Sequence, residues 1–482
     1  MSESLRNKTV RGVGWSFADS FLGQGITFVV GLVLARLLTP DEYGLIGIIT
    51  IFITVLNSIV DSGFSNALIR KKDVTDNDYN TVFITNLVFS IVLFVAMYLS
   101  APVIALFFHE EELVGLTRVM SVIVIINALS LVQNTILTKK IDFKTKTKAS
   151  LISAVISGII GIGVALSGFG VWALVLQAIS KQLFYTLCLW VFNKWWPRLF
   201  FSWQSFKEMW SFGWKLLVSS FINTIWNELY QIVVGKFYSP ATLGQYSRAK
   251  QFATIFSSNL NTVVQRVSFP ALSEIQNDKS RLKEAYRKVI KTTMFVTAIL
   301  MFFLGAISEP LIFCLIGPQW REASRFLPLI CVAMSLYPLH SINLNMLQVQ
   351  GRSDLFLKLE LIKKSIAVGP ILLGVFVGIY WMLIGSIITG IVSYFFNSYY
   401  SGKFLDYTSY NQLKDIAPSY GVATLIALSI YPLKFLQLSS YLILPIQFVI
   451  GVGVFLASCY VFDIKEYKEV RGILLNFINK EN

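Results

Sequence analysis

The chain has 482 residues, of which 55% are hydrophobic and only 14% charged, and it carries a formal net charge of +14. A water-soluble domain of this size could not cover so much apolar surface, and no stretch between the apolar runs is long enough to fold alone. The composition therefore excludes a soluble enzyme and points to a single membrane domain.

The first residues, MSESLRNKTVRGVG, are basic, and no cleavage site follows the first apolar run. Arg6, Lys8 and Arg11 read as a retained start that holds the N-terminus in the cytoplasm. Apolar runs of the length a helix needs to cross a hydrocarbon core then recur to the end of the chain. They predict fourteen transmembrane helices at 13–35, 44–67, 80–100, 114–138, 149–166, 171–192, 209–235, 244–272, 292–308, 324–350, 365–378, 382–400, 416–432 and 441–462. Strand-type alternation is absent, so the class is all-α integral membrane. The four cysteines, Cys188, Cys314, Cys331 and Cys459, are isolated and read as small apolar residues within helices. His109 and His340 are the only histidines, too few for a histidine-rich metal centre.

Charge tests the span count independently. The loops at 1–12, 68–79, 139–148, 193–208, 273–291, 351–364, 401–415 and 463–482 hold 30 of the 41 Lys and Arg, and the opposite loops hold four, Arg36, Lys236, Arg321 and Lys434. Such a bias is what the positive-inside rule demands of an inner-membrane protein with both termini in the cytoplasm. Spread over short loops facing anionic lipid, these charges form no basic patch on a soluble module, so nucleic acid is not an expected partner.

The two halves echo each other. Residues 35–44 read ARLLTPDEYG and residues 235–244 read GKFYSPATLG; at a constant offset of 200, Arg36 matches Lys236, Thr39 matches Ser239, Pro40 matches Pro240 and Gly44 matches Gly244. Gly14-Trp15 is answered by Gly213-Trp214, one residue out of phase. Six spans separate the copies, so both have the same orientation. This predicts two six-helix lobes in a parallel pseudo-two-fold repeat about the membrane normal, 1–200 and 201–403, with 404–482 supplying two further helices and a cytoplasmic tail.

Seven basic residues remain in or at the ends of spans: Arg118, Lys181, Lys215, Arg248, Lys250, Arg266 and Arg325, accompanied by Asp19, Asp61 and Glu228. A charge facing lipid at the bilayer centre costs at least about 2.5–3.5 kcal/mol, so those unable to snorkel should face a bundle interior or a wet cavity. Helical spacing gathers them into stripes. Span 7 offers Lys215, Ser219, Asn223, Asn227 and Tyr230; span 8 offers Arg248, Gln251, Ser258, Thr262 and Arg266. Span 2 offers Thr50, Thr54, Asn57 and Asp61; span 1 offers Ser16, Asp19, Gln24 and Thr27. Interhelical hydrogen bonding is the bland alternative for any one residue. Four stripes at matching places instead predict a V-shaped bundle around a hydrated, mostly cationic cleft. Lys181, Lys215, Asn223, Arg248 and Arg266 would meet an anionic cargo such as a diphosphate. Asp19, Asp61 and Glu228 would pair with a base or bind a coupling cation.

The opening GVGWSFADSFLGQGITFVVGLVLARLLTPDEYGLIGIITIF, and the echo continuing QYSRAKQFATI after Gly244, resemble the bacterial polysaccharide flippases. These form the Wzx-like polysaccharide transport branch of the multidrug/oligosaccharidyl-lipid/polysaccharide (MOP) exporter superfamily. The resemblance implies alternating access between two lobes, carrying an undecaprenyl-diphosphate-linked oligosaccharide from the cytoplasmic to the periplasmic leaflet for O-antigen (lipopolysaccharide), capsule or exopolysaccharide synthesis. Membrane lipids and other polysaccharide assembly proteins are the partners it implies. Related lipid II flippases use cavity arginines in the first helices, whereas this chain has Asp19 there and Arg36 only at the outer end.

Two other readings stay open. A multidrug or cation antiporter of the same superfamily would need a predominantly acidic cavity. A polysaccharide polymerase or ligase would carry a large outer loop, and the longest here is only 306–323. Asp76-Asn77-Asp78 matches a DxD pattern but is expected to be a turn or helix start, and His109-Glu110-Glu111-Glu112 an exposed acidic loop. No P-loop or serine nucleophile elbow is visible, and neither cofactor, metal nor catalytic residue is expected.

Overall fold

The computed structural model describes residues 22–61, 63–436 and 438–478, with side chains throughout except at 258, 259, 263, 266, 267, 353 and 473–478. Among the described residues every regular element is a helix, as backbone groups immersed in hydrocarbon require. The chain divides into two compact units, the first ending at Gly244 and the second beginning at Gln245.

The first unit contains α1 (Gln24–Leu37), α2 (Pro40–Asp61), α3 (Phe64–Arg70), α4 (Asp76–Phe108), α5 (Leu113–Met120), α6 (Val122–Lys139), α7 (Phe143–Leu166), α8 (Trp172–Asn193) and α9 (Trp203–Phe237). Helix α10 (Pro240–Glu274) begins there and continues into the second unit. That unit adds α11 (Lys279–Ala306), α12 (Ser308–Leu315), α13 (Arg321–Ser335), α14 (Tyr337–Val349), α15 (Ser353–Ile366) and α16 (Val368–Phe376). It ends with α17 (Ile379–Leu405), α18 (Ser409–Ile430), α19 (Ser440–Val461) and α20 (Lys465–Ile478).

Ten of the expected spans fall on helical stretches long and apolar enough to cross a membrane: Pro40–Arg70, Asp76–Phe108, Leu113–Lys139, Phe143–Leu166, Trp172–Asn193, Lys279–Ala306, Pro318–Val349, Ile379–Leu405, Ser409–Phe435 and Ser440–Val461. The other four segments are helical but differ in kind. The segment 13–35 is described only from residue 22 and continues as the short apolar α1. The segments 209–235 and 244–272 lie in α9 and α10, whose polar stripes dilute their apolarity. The segment 365–378 straddles the break at Ala367 between α15 and α16. Residues 353–364, counted above as loop, are the ordered helix α15.

Local chemistry explains where the helices begin. The Asp76-Asn77-Asp78 stretch is a helix start: Asp78 Oδ2 accepts from Thr75 N–H at 2.9 Å while the Asp78 N–H donates to Thr75 Oγ1 at 3.3 Å, closing a capping box. The side chains of Asp142, Ser202, Asp278 and Thr408 cap α7, α9, α11 and α18, each accepting from the N–H three residues on. The small residues Ala149, Ser153, Ala154, Ser157 and Gly158 form a buried face of α7, the packing surface that brings membrane helices close.

In the structure α9 packs within the first unit, against α2 and α4. Its Gly213 lies against the turn at Gly63, where a Cβ would stand 2.7 Å from the Gly213 carbonyl oxygen. The second unit is organised around a buried polar knot. Asn343 Oδ1 on α14 accepts from Tyr286 on α11 (2.8 Å), Ser401 on α17 (2.8 Å) and Gln412 on α18 (3.2 Å). With every lone pair engaged, the knot ties four helices into one arrangement. Helix α20 is held to α11 by Lys291–Glu466 (2.6 Å) and Lys288–Glu469 (3.3 Å).

Candidate functional site

The repeated turns are alike in detail. Leu38 and Tyr238 are both extended and end α1 and α9, and Pro40 and Pro240 open α2 and α10. In the first copy Thr39 N–H donates to Glu42 Oε2 at 2.7 Å, and the Glu42 N–H donates to Thr39 Oγ1 at 3.4 Å. In the second the Thr242 N–H donates to Ser239 Oγ at 3.2 Å. The two first turns also meet reciprocally. A Cβ on Gly44 would stand 1.8 Å from the Pro240 carbonyl oxygen, and one on Gly244 would stand 2.0 Å from that of Pro40. The contact is mutual, each glycine facing the proline carbonyl of the other turn. It explains why both positions are glycine: no side chain fits.

The candidate residues are distributed as follows. Lys181 on α8 is half-buried and donates to Thr27 Oγ1 on α1 at 3.1 Å, so a basic residue and a polar stripe come together inside the first unit. Lys215 and Asn223 on α9 are exposed, as are Ser219 and Asn227 of the same stripe, so this face of α9 is open within its own unit. Glu228, half-buried, accepts from Gln231 Nε2. Asp61 is half-buried at the end of α2, and its Oδ1 is buried without a donor. Among the described residues no ion pair joins Lys181, Lys215, Asp61 or Glu228 to another side chain. Arg248 on α10 donates to Gln251 Oε1 and lies over the Trp320 ring, 5.9 Å from its centroid. Asp19 lies outside the described residues, as do the side chains of Arg266 and Ser258. Of the basic residues with reach to a membrane face, Arg325 pairs with Glu322 at 2.6 Å and Arg118 lies over the Tyr98 ring, 4.9 Å from its centroid.

Two features escaped the sequence reading because each assembles residues from distant segments. At the end of the first unit that holds the repeated turns, Asp41, Glu42, Glu110, Glu111 and Glu112 line a cavity of about 800 Å³ together with Phe169, Trp172 and Pro240. Burial, then the charges of Asp41 and Glu112, push the Glu110 carboxyl above its ordinary range. At the opposite end Lys71 bridges Asp78 (3.1 Å) and Glu208 (3.0 Å), and Lys139 donates to the Leu68 carbonyl (3.1 Å). Burial opposes the charged form of Lys71, but its hydrogen bonds to Glu208 and Asp78 raise its pKa above the usual lysine value. The node fastens the starts of α4 and α9 to the end of α3.

Comparison with known proteins adds sequence kinship to this geometry. Residues 33–325 match the family model described as "Polysaccharide biosynthesis protein". The chain is 29% identical over 357 residues to the teichuronic acid biosynthesis protein TuaB of Bacillus subtilis (strain 168), covering 73% of each chain. It is 27% identical over 337 residues to the succinoglycan biosynthesis transport protein ExoT of Rhizobium meliloti (strain 1021), covering 70% of this chain and 68% of the relative. Among solved structures, the lipid II flippase MurJ in an inward closed conformation superposes with a TM-score of 0.70 at 18% identity. That match covers 96% of this chain and 99% of MurJ, and it shows the shared fold.

Proposed function

Because the chain belongs to the polysaccharide biosynthesis protein family, we propose that it is a transporter, not an enzyme, that flips an undecaprenyl-diphosphate-linked oligosaccharide across the bacterial inner membrane. The observation that carries this reading is the extent of the family match, which runs from residue 33 to 325 and so includes both copies of the repeated turn. Two relatives named for polysaccharide assembly, teichuronic acid and succinoglycan, support a glycan cargo.

In this reading the ten strongly apolar spans are joined by α1, α9, α10 and the α15–α16 pair to make fourteen, with both termini in the cytoplasm. Two homologous six-helix lobes, 1–200 and 201–403, form a V around the cargo, followed by the two helices of 404–482. Lys181, Lys215, Asn223, Arg248 and Arg266 contact the diphosphate or the first sugars. Arginine offers a fork of donors to phosphate oxygens and lysine a point charge. The first turns of α2 and α10 part when the cargo leaves. A membrane potential negative inside favours outward passage of an anion by about 2.3 kcal/mol per charge per 100 mV. Other polysaccharide assembly proteins would supply and consume the cargo.

The test is deletion of the gene followed by mass analysis of the lipid-linked sugars and determination of their leaflet. Accumulation of complete oligosaccharide in the cytoplasmic leaflet supports flipping. Accumulation of unpolymerised repeats in the periplasmic leaflet would instead mark a polymerase or ligase.

A further inference from the structure

Residues 194–202 join α8 to α9 without regular structure, and their groups divide between two sides. On the inner side Trp195 packs edge-on against Tyr79 and Phe83, 6.1 Å from each ring centroid. Gln133 Nε2 donates to the Trp195 carbonyl at 2.8 Å, the Arg198 N–H donates to Asn80 Oδ1 at 2.8 Å, and the Ser202 N–H donates to Thr81 Oγ1 at 3.0 Å. The side chains of Gln133, Asn80 and Thr81 are buried, so these backbone bonds do not depend on water. On the outer side Trp196, Leu199, Phe200, Phe201 and Trp203 are exposed, Leu199 by 99%, Trp196 by 66% and Trp203 by 59%. The rings are braced: Trp196 lies edge-on to Trp190 at 5.2 Å, and Trp203 stacks on Phe206 at 5.1 Å. Lys194, Arg198 and Lys207 are exposed among them, and no Asp or Glu occurs from 194 to 207. Among the described residues none of the three forms an ion pair.

A contiguous row of large apolar side chains is unfavourable against water, yet irregular backbone is excluded from lipid-exposed hydrocarbon. The boundary between headgroups and acyl chains suits both: aromatic rings sit at that depth, and Lys and Arg reach out to the headgroups. The patch is continuous with the surface of a membrane span. Val191 and Phe192, exposed on the last turn of α8, lead directly into it. Charge then selects the headgroup, because three unpaired cations with no acid among them complement a negative surface. We propose that residues 194–207 lie in the headgroup boundary and bind anionic phospholipid, with Trp196, Leu199, Phe200 and Trp203 against the acyl chains and Lys194, Arg198 and Lys207 on the phosphates. In the orientation proposed above this is the cytoplasmic leaflet, and the segment links the two proposed lobes. Lipid binding is measured without transport, so the proposal stands or falls independently of the cargo.

The experiment uses the full chain in nanodiscs made of phosphatidylcholine and phosphatidylglycerol, both leaflets alike, so the outcome does not depend on orientation. A nitrobenzoxadiazole fluorophore is placed at Leu199→Cys in a background lacking the four native cysteines, with Asp73→Cys, in the exposed loop before α4, as the aqueous reference. The probe at 199 should be quenched by lipids carrying a doxyl group near the headgroup and shielded from iodide, and the probe at 73 should behave in the opposite way. Doxyl on phosphatidylglycerol should quench at 199 at least about twofold more than doxyl on phosphatidylcholine, since each of three cations attracts an anionic lipid. Replacing Lys194, Arg198 and Lys207 together by Gln should bring that ratio to one, with lipid quenching retained and the melting midpoint unchanged because all three side chains are exposed. Iodide quenching at 199 equal to that at 73 would overturn the proposal, as would equal quenching by the two lipids or a preference that survives the triple substitution. A probe shielded from both quenchers in a dimeric protein would make the occupant a second copy of the chain and overturn it equally.

Discussion

The reciprocal glycine contact gives the sharpest handle on mechanism. A methyl group on Gly44 would sit 1.8 Å from the Pro240 carbonyl oxygen, where an ordinary contact needs about 3.5 Å, so the two first turns must part by roughly 1.7 Å to admit it. The obstacle is backbone on both sides, with no flexible side-chain tip to yield. Overpacking of this kind costs about 1–3 kcal/mol. If the contact exists in only one state of the cycle, that energy becomes a population shift of about 5- to 150-fold toward the state in which the turns are separated. Gly244→Ala, whose Cβ would stand 2.0 Å from the Pro40 carbonyl oxygen, should act in the same direction. Because the two sites touch, the double variant should shift less than the sum. The assay is a distance distribution between spin labels at Asp41→Cys and Ala241→Cys, in a background lacking the four native cysteines. The longer-distance population should grow in each alanine variant. An unchanged distribution with an unchanged melting midpoint would show that the contact is not part of the folded ensemble. An unchanged distribution with a lowered midpoint would show that it does not open.

Three further perturbations follow from the geometry. Glu110 has a raised pKa in the fold, so it favours the folded state most at low pH and loses that contribution as pH rises through its folded value. Glu110→Gln should therefore melt higher than the wild type at pH 7 and converge with it toward pH 4, whereas a constant offset would exclude the repulsion with Asp41 and Glu112. Lys71→Met should destabilise by roughly 1–2 kcal/mol, because it strips a partner from the buried Asp78, while Glu208→Gln, whose exposed carboxylate is screened by water, should cost under about 1 kcal/mol; equal midpoint losses would refute that ranking. Replacing Lys215, Arg248 and Arg266 together by Gln should abolish surface polysaccharide at normal protein abundance, and normal glycan in that strain would remove them from the transport path.

The parts of the molecule written in contiguous residues were legible. Apolar runs locate the ten strong spans because burial of a helix in lipid leaves a continuous imprint. Thr39-Pro40 and Ser239-Pro240, each with a glycine four residues beyond the proline, mark the same turn twice because proline and a small hydroxyl residue set a helix start by local chemistry. The helix start at Asp76-Asn77-Asp78 was readable for the same reason. Assemblies drawn from distant segments were not: the acidic cavity collects residues 41–45, 110–116, 168–172 and 240, and the Lys71 node collects 71, 78 and 208. Helix α15 was counted as loop because its lysines dominate its hydropathy, although its apolar positions still repeat at helical spacing. Lys181 stands out by its depth and Thr27 by its place in the span 1 stripe, but their pairing could not be read, since only the packing of α8 beside α1 joins them.

Reconstitution tests flipping most directly. Purified protein in vesicles would be supplied with undecaprenyl-diphosphate-linked oligosaccharide from the native strain, and an impermeant lectin would report which leaflet holds the glycan. Flipping predicts that folded protein brings inner-leaflet glycan into reach of the lectin, and that the Lys215, Arg248, Arg266 triple variant does not. Glycan that stays as inaccessible as in protein-free vesicles, with correctly folded protein present, would contradict it.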